Sequence, residues 1–215
     1  MPRYLSRRLP ADHTFGTKKA IDLHAQLTGE VVWAWNQLHS SFGMVFAALI
    51  PDQNLMAAHA IWSALTTDRA QRDVLLALAE WTYFEGRPLE RIRWAINATN
   101  LLSSYRNAAI HTLPGFLLTD AGVTTTIANW GVPFHRARRF SGREFPIILQ
   151  ALRGDAIQLS GYVDWIASTL LPDAKHRSSP QRPVLRTPRL WQAPNQPRAH
   201  RKSKAPRRPP RSSRG

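Results

Sequence analysis

The chain has 215 residues and no cysteine, and its 29 Lys and Arg outnumber its 14 Asp and Glu. The lack of cysteine excludes disulfide scaffolds, thiolate metal sites and cysteine nucleophiles, and the length suits one domain with short extensions. The basic start has no apolar stretch after it, and the longest apolar run, residues 42–50, is too short to cross a bilayer. We therefore expect a soluble cytoplasmic protein without membrane contact.

Helical periodicity dominates the first half of the chain, after an N-terminal extension over residues 1–16. Apolar side chains recur at intervals of three and four, and Thr17 and Pro51 stand where a helix start and stop are expected. Pro88 opens a later helix at a position where its missing N–H does no harm. The pattern predicts four helices, over residues 17–50, 53–65, 67–86 and 88–112.

The pattern changes after Gly115. Residues 116–127 predict a small β-hairpin with its turn at Asp120-Ala121-Gly122, and a basic loop continues the insertion to residue 143. Two more helices are predicted, a short one over residues 144–152 and a final one over 155–171. The fold class is therefore mainly α: an antiparallel bundle of four to five helices with a hairpin insertion, forming one domain over residues 17–173.

The positive charge is concentrated in residues 174–215. This segment holds 13 of the 29 Lys and Arg, half of the 16 prolines and no acidic residue, which leaves 16 basic against 14 acidic residues elsewhere. Few large apolar side chains are present, so the segment is predicted to be a disordered tail. It is interpreted as a polybasic arm that holds RNA phosphates through Arg201, Lys202, Lys204, Arg207 and Arg208. The alternative is a dispensable extension, or a reading frame that drifted past its proper stop.

One helix end carries a motif suited to phosphodiester chemistry, Arg106-Asn107-x-x-x-His111. A helix turns about 100° per residue, so Asn107 and His111 lie one above the other with Arg106 beside them. One helix face therefore presents a fixed cation, an amide and a group that exchanges a proton near neutral pH.

Together with the helices, this motif resembles that of the HEPN superfamily of bacterial helical-bundle proteins, over roughly residues 17–112. Many members are metal-independent endoribonucleases of toxin, phage-defence and RNA-processing systems, and they usually dimerise through the motif helix. The resemblance implies that His111 is the general base or acid, that Arg106 holds the scissile phosphate and that Asn107 orients His111 or a phosphate oxygen. It implies RNA as substrate, attack by the 2′-hydroxyl, a homodimer and no cofactor.

Two alternatives stay open from the sequence. A His in the last turn of a helix is favoured by the helix dipole alone, and Arg106 could pair with a carboxylate such as Glu80 or Glu90. The chain would then be a non-catalytic helical dimer that binds RNA or a protein partner, such as a cognate antitoxin.

Other candidate residues extend the proposed nucleic-acid surface. Tyr105 could stack on a base, and a second basic patch could continue the phosphate track through Arg136, Arg138 and Arg139. A solvated loop is the alternative for that patch. No His-x-x-x-His or Glu-x-x-His pattern occurs, so no metal site is predicted.

Overall fold

A computed structural model describes seven stretches of the chain: residues 11–50, 54–83, 85–112, 114–119, 122–127, 144–171 and 179–191. Within them, six helices and one two-stranded hairpin form a helical bundle, as predicted. The elements are, in chain order, α1 (Ala11–Leu49), α2 (Leu55–Ala64), α3 (Asp68–Thr82), α4 (Arg87–Ile110), β1 (Pro114–Thr119), β2 (Gly122–Ile127), α5 (Phe145–Leu170) and α6 (Thr187–Trp191).

The helix starts follow local capping chemistry, with one difference from the sequence analysis. α1 begins at Ala11, so Thr17 lies inside the helix and is not its N-cap. The α3 cap is Thr67, whose side chain accepts a hydrogen bond from the Ala70 N–H at 3.1 Å. Gly86 caps α4 with φ 110, a conformation that other residues rarely adopt, and Pro88 follows in the first turn as predicted.

α5 is one continuous helix, and the prediction of two separate helices over residues 144–152 and 155–171 was wrong. Gly154 lies inside it, where glycine costs about 1 kcal/mol relative to alanine. Leu152 and Leu159, on either side of the glycine, are both buried, 2% and 0% exposed. Burial of this face outweighs the local preference to break the helix.

α1 packs along α5, and the two helices run in the same direction. The ring of His24 meets Phe145 at a centroid distance of 4.9 Å near one end, and the hydroxyls of Ser41 and Ser160 are 2.8 Å apart further along. From the first contact to the second, the residue numbers increase in both α1 and α5, so the two helices are parallel.

α4 runs antiparallel to α5 and to α1. Arg91 lies over Trp165 at 4.7 Å from the ring centroid, and three residues later Trp94 meets Tyr162 at 5.1 Å. Near its other end, α4 places the guanidinium of Arg106 over Trp35 of α1. A small apolar cluster joins α1, α4 and α5 at this end, and it contains the buried residues Leu27, Val31, Ala109, Phe145, Ile148, Leu149 and Leu152.

The predicted hairpin is confirmed, and it starts slightly earlier than predicted. β1 and β2 pair antiparallel, with Pro114 opposite Ile127 and Thr119 opposite Gly122. Gly122 has φ 115, which suits the first residue after the turn. Thr125 is buried against α1, where its hydroxyl lies 3.3 Å from Nδ1 of His24.

Residues 179–191 differ from the prediction of disorder: they form an ordered strap, ending in α6, that packs on α4 and α5. The buried carboxylate of Asp155 accepts hydrogen bonds from the N–H groups of Arg186 and Thr187, at 2.8 and 2.7 Å. Arg182 lies over the Trp94 ring at 5.5 Å. The strap has few large apolar side chains of its own. Its packing on the bundle is therefore stabilised by the Asp155 carboxylate on α5 and by the Trp94 ring on α4. The remaining tail residues, 174–178 and 192–215, lie outside the described residues.

None of the helices in the described stretches is both long enough and apolar enough to span a membrane.

Candidate functional site

The motif occupies the last two turns of α4, which are fixed on one side by the apolar cluster. Ala109 is buried there, and Tyr105, Ala108 and Ile110 pack against the cluster. Asn107 and His111, on another side of the helix, are exposed. Packing of one helix face thus leaves the amide and the imidazole open to solvent.

Arg106 is held by its neighbours rather than by a carboxylate. Its Nη1 donates a hydrogen bond to Oδ1 of Asn107 at 3.0 Å, and its Cζ lies 5.5 Å from the centroid of the Trp35 ring. Its Nε is buried and has no hydrogen-bond partner in the described structure. The guanidinium is therefore half-buried and stacked, and one of its donor atoms is unsatisfied by the described residues.

His111 is the C-cap of α4. Its backbone N–H donates to the carbonyl of Asn107 at 3.1 Å, and its φ and ψ of −94 and 4 take the chain out of the helix. The side chain is exposed. A cation at this position is favoured by the helix dipole, whether or not the residue has a catalytic role.

The observed contacts of Asn107 and Arg106 differ from the protein partners that the sequence analysis offered. Asn107 bonds to Arg106, and no hydrogen bond joins it to the His111 ring in the described structure. Glu80 pairs with Arg93 at 2.8 Å instead of with Arg106. The acidic group that lies near Arg106 is Asp68, whose pKa its charge helps to lower.

A partly buried polar cluster beside the motif was missed by the sequence analysis. We call it the α1–α3–α4 cluster, and its members are Trp35, His39, Asp68, Gln71, Arg72 and Asn100. Trp35 Nε1 donates to Oδ2 of Asp68 at 2.7 Å. The Arg72 side chain, 3% exposed, donates to Oδ1 of Asn100 at 2.8 Å and contacts Nε2 of His39 at 3.1 Å.

The cluster fixes the protonation of His39. Arginine can only donate, so Nε2 of His39 must be the acceptor and its proton must lie on Nδ1, 3.2 Å from Oε1 of Gln71. Burial lowers the pKa of His39, and the charges of Arg72 and Arg106 lower it further. These effects outweigh Asp68, 3.7 Å away, and the hydrogen bond with Gln71, which both raise the pKa. The imidazole is therefore held neutral.

Asp68 is the cluster's anion. Burial alone would raise the pKa of Asp68. The hydrogen bond from Trp35, the charge that His39 acquires once acid protonates it, and the charges of Arg106 and Arg72 together lower that pKa. One feature of the sequence could have indicated this cluster. Trp35 and His39, whose rings both carry hydrogen-bonding nitrogens, are spaced i and i+4 on an otherwise apolar face of α1.

The remaining predicted site residues fall into two groups. Tyr105 is half-buried against the apolar cluster, so only part of its ring is open to a base. The basic residues of the second patch and of the arm lie outside the described residues: Arg136, Arg138, Arg139, Arg201, Lys202, Lys204, Arg207 and Arg208. Among the side chains that are described, no three His, Asp or Glu come together as a metal-binding group would require.

Compared with known proteins, the chain matches no protein-family model, no curated protein sequence and no solved structure.

Proposed function

We propose that this helical bundle is a HEPN-like, metal-independent endoribonuclease of the kind found in toxin and defence systems. The observation that carries the proposal is the arrangement at the end of α4, where exposed His111 follows one turn after Asn107, which holds Arg106. A proton-transfer group and a fixed cation thereby share one accessible helix end.

The chemistry that this arrangement supports is attack of a ribose 2′-hydroxyl on the adjacent phosphorus. His111 serves as the base that removes the 2′-proton, or as the acid that protonates the leaving 5′-oxygen. The new O2′–P bond forms as the P–O5′ bond breaks, which leaves a 2′,3′-cyclic phosphate on one product and a 5′-hydroxyl on the other. The proton lost by the 2′-hydroxyl is balanced by the one gained at the 5′-oxygen.

Arg106 stabilises the negative charge that develops on the phosphorane oxygens. Its planar guanidinium can donate two parallel hydrogen bonds to phosphate, which an ammonium cannot. Asn107 and the Trp35 ring restrict its position, and such preorganisation is what makes a charge effective in the transition state.

A second candidate is supported by the partial burial of Arg106. Its stacked guanidinium and unpartnered Nε resemble a structural contact as much as a phosphate clamp. In this alternative the chain is a non-catalytic helical dimer that binds RNA or a protein partner such as an antitoxin. The homodimer and the cytoplasmic location belong to the proposal in both cases.

The test uses two matched single-stranded oligonucleotides, one all RNA and one with 2′-deoxyribose at every position. In EDTA, the purified full chain should cleave the RNA and release products ending in 2′,3′-cyclic phosphate, and it should leave the DNA intact. Cleavage of both strands, or cleavage that EDTA abolishes, would overturn the mechanism. Stable binding without cleavage would favour the second candidate.

A further inference from the structure

A groove of about 450 Å³ separates the first half of α5 from the end of the strap. We call it the strap groove, and Ile147, Gln150, Ala151, Arg186, Arg189 and Leu190 line it. Its size falls within the ~300–1,000 Å³ of ordinary ligand sites. None of these residues belongs to the motif or to the α1–α3–α4 cluster.

The basic wall of the groove is held in place. Arg186 donates its backbone N–H to the buried carboxylate of Asp155, and its carbonyl accepts hydrogen bonds from the N–H groups of Arg189 and Leu190. The side chains of Arg186 and Arg189 are exposed. The backbone that carries these two cations is therefore fixed by the bundle, which reduces the ordering cost of binding a ligand.

The charges of both arginines are unpaired within the described stretches. Neither takes part in an ion pair among the described residues, whereas Arg93 and Arg153 are both paired with glutamates. Asp155 contacts the strap, but both of its carboxylate oxygens accept hydrogen bonds from backbone N–H groups. The groove thus offers two guanidinium groups that no described carboxylate pairs with, beside an apolar surface that includes half-exposed Ile147.

The groove lies at the motif end of the bundle. The first half of α5 forms the small apolar cluster with Ala109 of α4, and α6 packs on α4 as well as on α5. The basic sequence 192–215 follows α6 directly along the chain. The motif and the groove therefore lie toward the same end of the bundle.

We propose that the strap groove binds the backbone of single-stranded RNA, with Arg186 and Arg189 on phosphates and the apolar surface against a sugar or base. This inference rests on the proposed function for its choice of RNA. The groove matches RNA in charge and in polarity. Guanidinium groups bind phosphates, and the apolar surface beside them suits the flat faces of a nucleotide.

Binding is measured separately from cleavage, with a fluorescent 2′-O-methyl RNA that lacks the attacking hydroxyl. Anisotropy titrations of the full chain over a range of KCl concentrations give both affinity and salt slope. The test variant is Arg186→Gln/Arg189→Gln. The control, Arg87→Gln/Arg93→Gln, removes two charges at the opposite end of α4, and Arg186→Lys/Arg189→Lys restores charge in the groove.

The Gln pair in the groove should weaken binding roughly tenfold at ~0.15 M salt and reduce the salt slope by about 1.4, since each lost phosphate contact on a single strand removes about 0.7. The Lys pair should recover most of the slope, and the control pair should stay within about twofold of wild type. Equal effects of the groove and control pairs would overturn the inference and leave the cleavage mechanism standing. Arginine-dependent binding to phosphatidylglycerol vesicles, with RNA affinity unchanged, would overturn it in favour of a lipid surface.

Discussion

Arg72 donates a hydrogen bond to Nε2 of His39 across 3.1 Å, and this contact exists only while the imidazole is neutral. It joins α3 to α1, and the second bond of Arg72, to Asn100, adds α4. Protonation of His39 would remove the acceptor and place two cations in contact inside the bundle. The three helices next to the motif are therefore coupled to the charge state of one buried histidine.

The stability of the fold should consequently depend on pH through His39. Because burial lowers its pKa in the folded chain, the unfolded chain binds more protons below its ordinary value of 6.5, and the free energy of unfolding rises with pH in that window. The contribution should be complete above about pH 6.5 and should decline as the pH falls below it. Urea unfolding at a series of pH values measures this directly.

His39→Gln should flatten this pH dependence, because glutamine does not titrate. Burial lowers the pKa of His24 too. The free energy of unfolding of His39→Gln should therefore still rise with pH, but less steeply than in wild type. The double variant with His24→Gln should show a smaller slope again. The effect of Asp68 falls in another window, near and below its ordinary pKa of 3.8. An unchanged slope in His39→Gln would show that the Arg72 contact does not fix the imidazole.

The strap should stabilise the bundle, while the sequence beyond it should not. A chain that ends after Trp191 should unfold at nearly the wild-type urea midpoint, because residues 192–215 lack a hydrophobic face. A chain that ends after residue 178 leaves the buried Asp155 carboxylate without its two N–H partners. It should lose about 3 kcal/mol, at roughly 1.5 kcal/mol for each hydrogen bond to a charged group. Equal midpoints for the two truncations would mean that the strap is not bound in solution.

Asp155→Asn isolates the strap anchor from the rest of the strap. The amide retains one acceptor oxygen, but its NH₂ group faces the other backbone N–H. We expect a loss of about 2 kcal/mol in the free energy of unfolding, together with faster proteolysis between residues 179 and 186. Asp164→Asn, at an exposed position on the same helix, is the control and should change neither measurement.

The main helices were predictable because their apolar spacing agrees with the prolines that mark where helices start and stop. Pro51 follows the end of α1, and Pro88 lies in the first turn of α4. The break predicted near Gly154 was wrong because a local preference of about 1 kcal/mol is smaller than the burial of Leu152 and Leu159 on either side of it.

Long-range polar contacts explain what the sequence analysis missed. Nothing near Arg186 in the sequence indicates that Asp155, 31 positions earlier, binds its N–H. Likewise Trp35 and Asp68 are 33 positions apart, yet they share a hydrogen bond that helps to form the cluster behind Arg106. The motif was visible as a pattern on one helix, whereas its surroundings depend on how three helices pack.

Substitutions of Arg106 should separate charge from geometry. Arg106→Ala should reduce cleavage by about 10²–10³-fold, the range for a lost transition-state donor. Arg106→Lys should recover only part of this, since an ammonium supplies neither the bidentate fork nor the flat stacking surface over Trp35. Single-turnover rates at saturating protein give these ratios. Full activity in Arg106→Lys would contradict the assigned role.

The most direct test of the proposed function is the rate of RNA cleavage by His111→Ala in EDTA, compared with His59→Ala. Both histidines are exposed, and His59 lies on α2 away from the motif. His111→Ala should be slower than wild type by about 10²–10⁴-fold, the usual cost of losing a general acid or base, with its urea midpoint unchanged, and His59→Ala should cleave at the wild-type rate. Cleavage by His111→Ala at the wild-type rate, or a bundle that unfolds when His111 is replaced, would contradict the account.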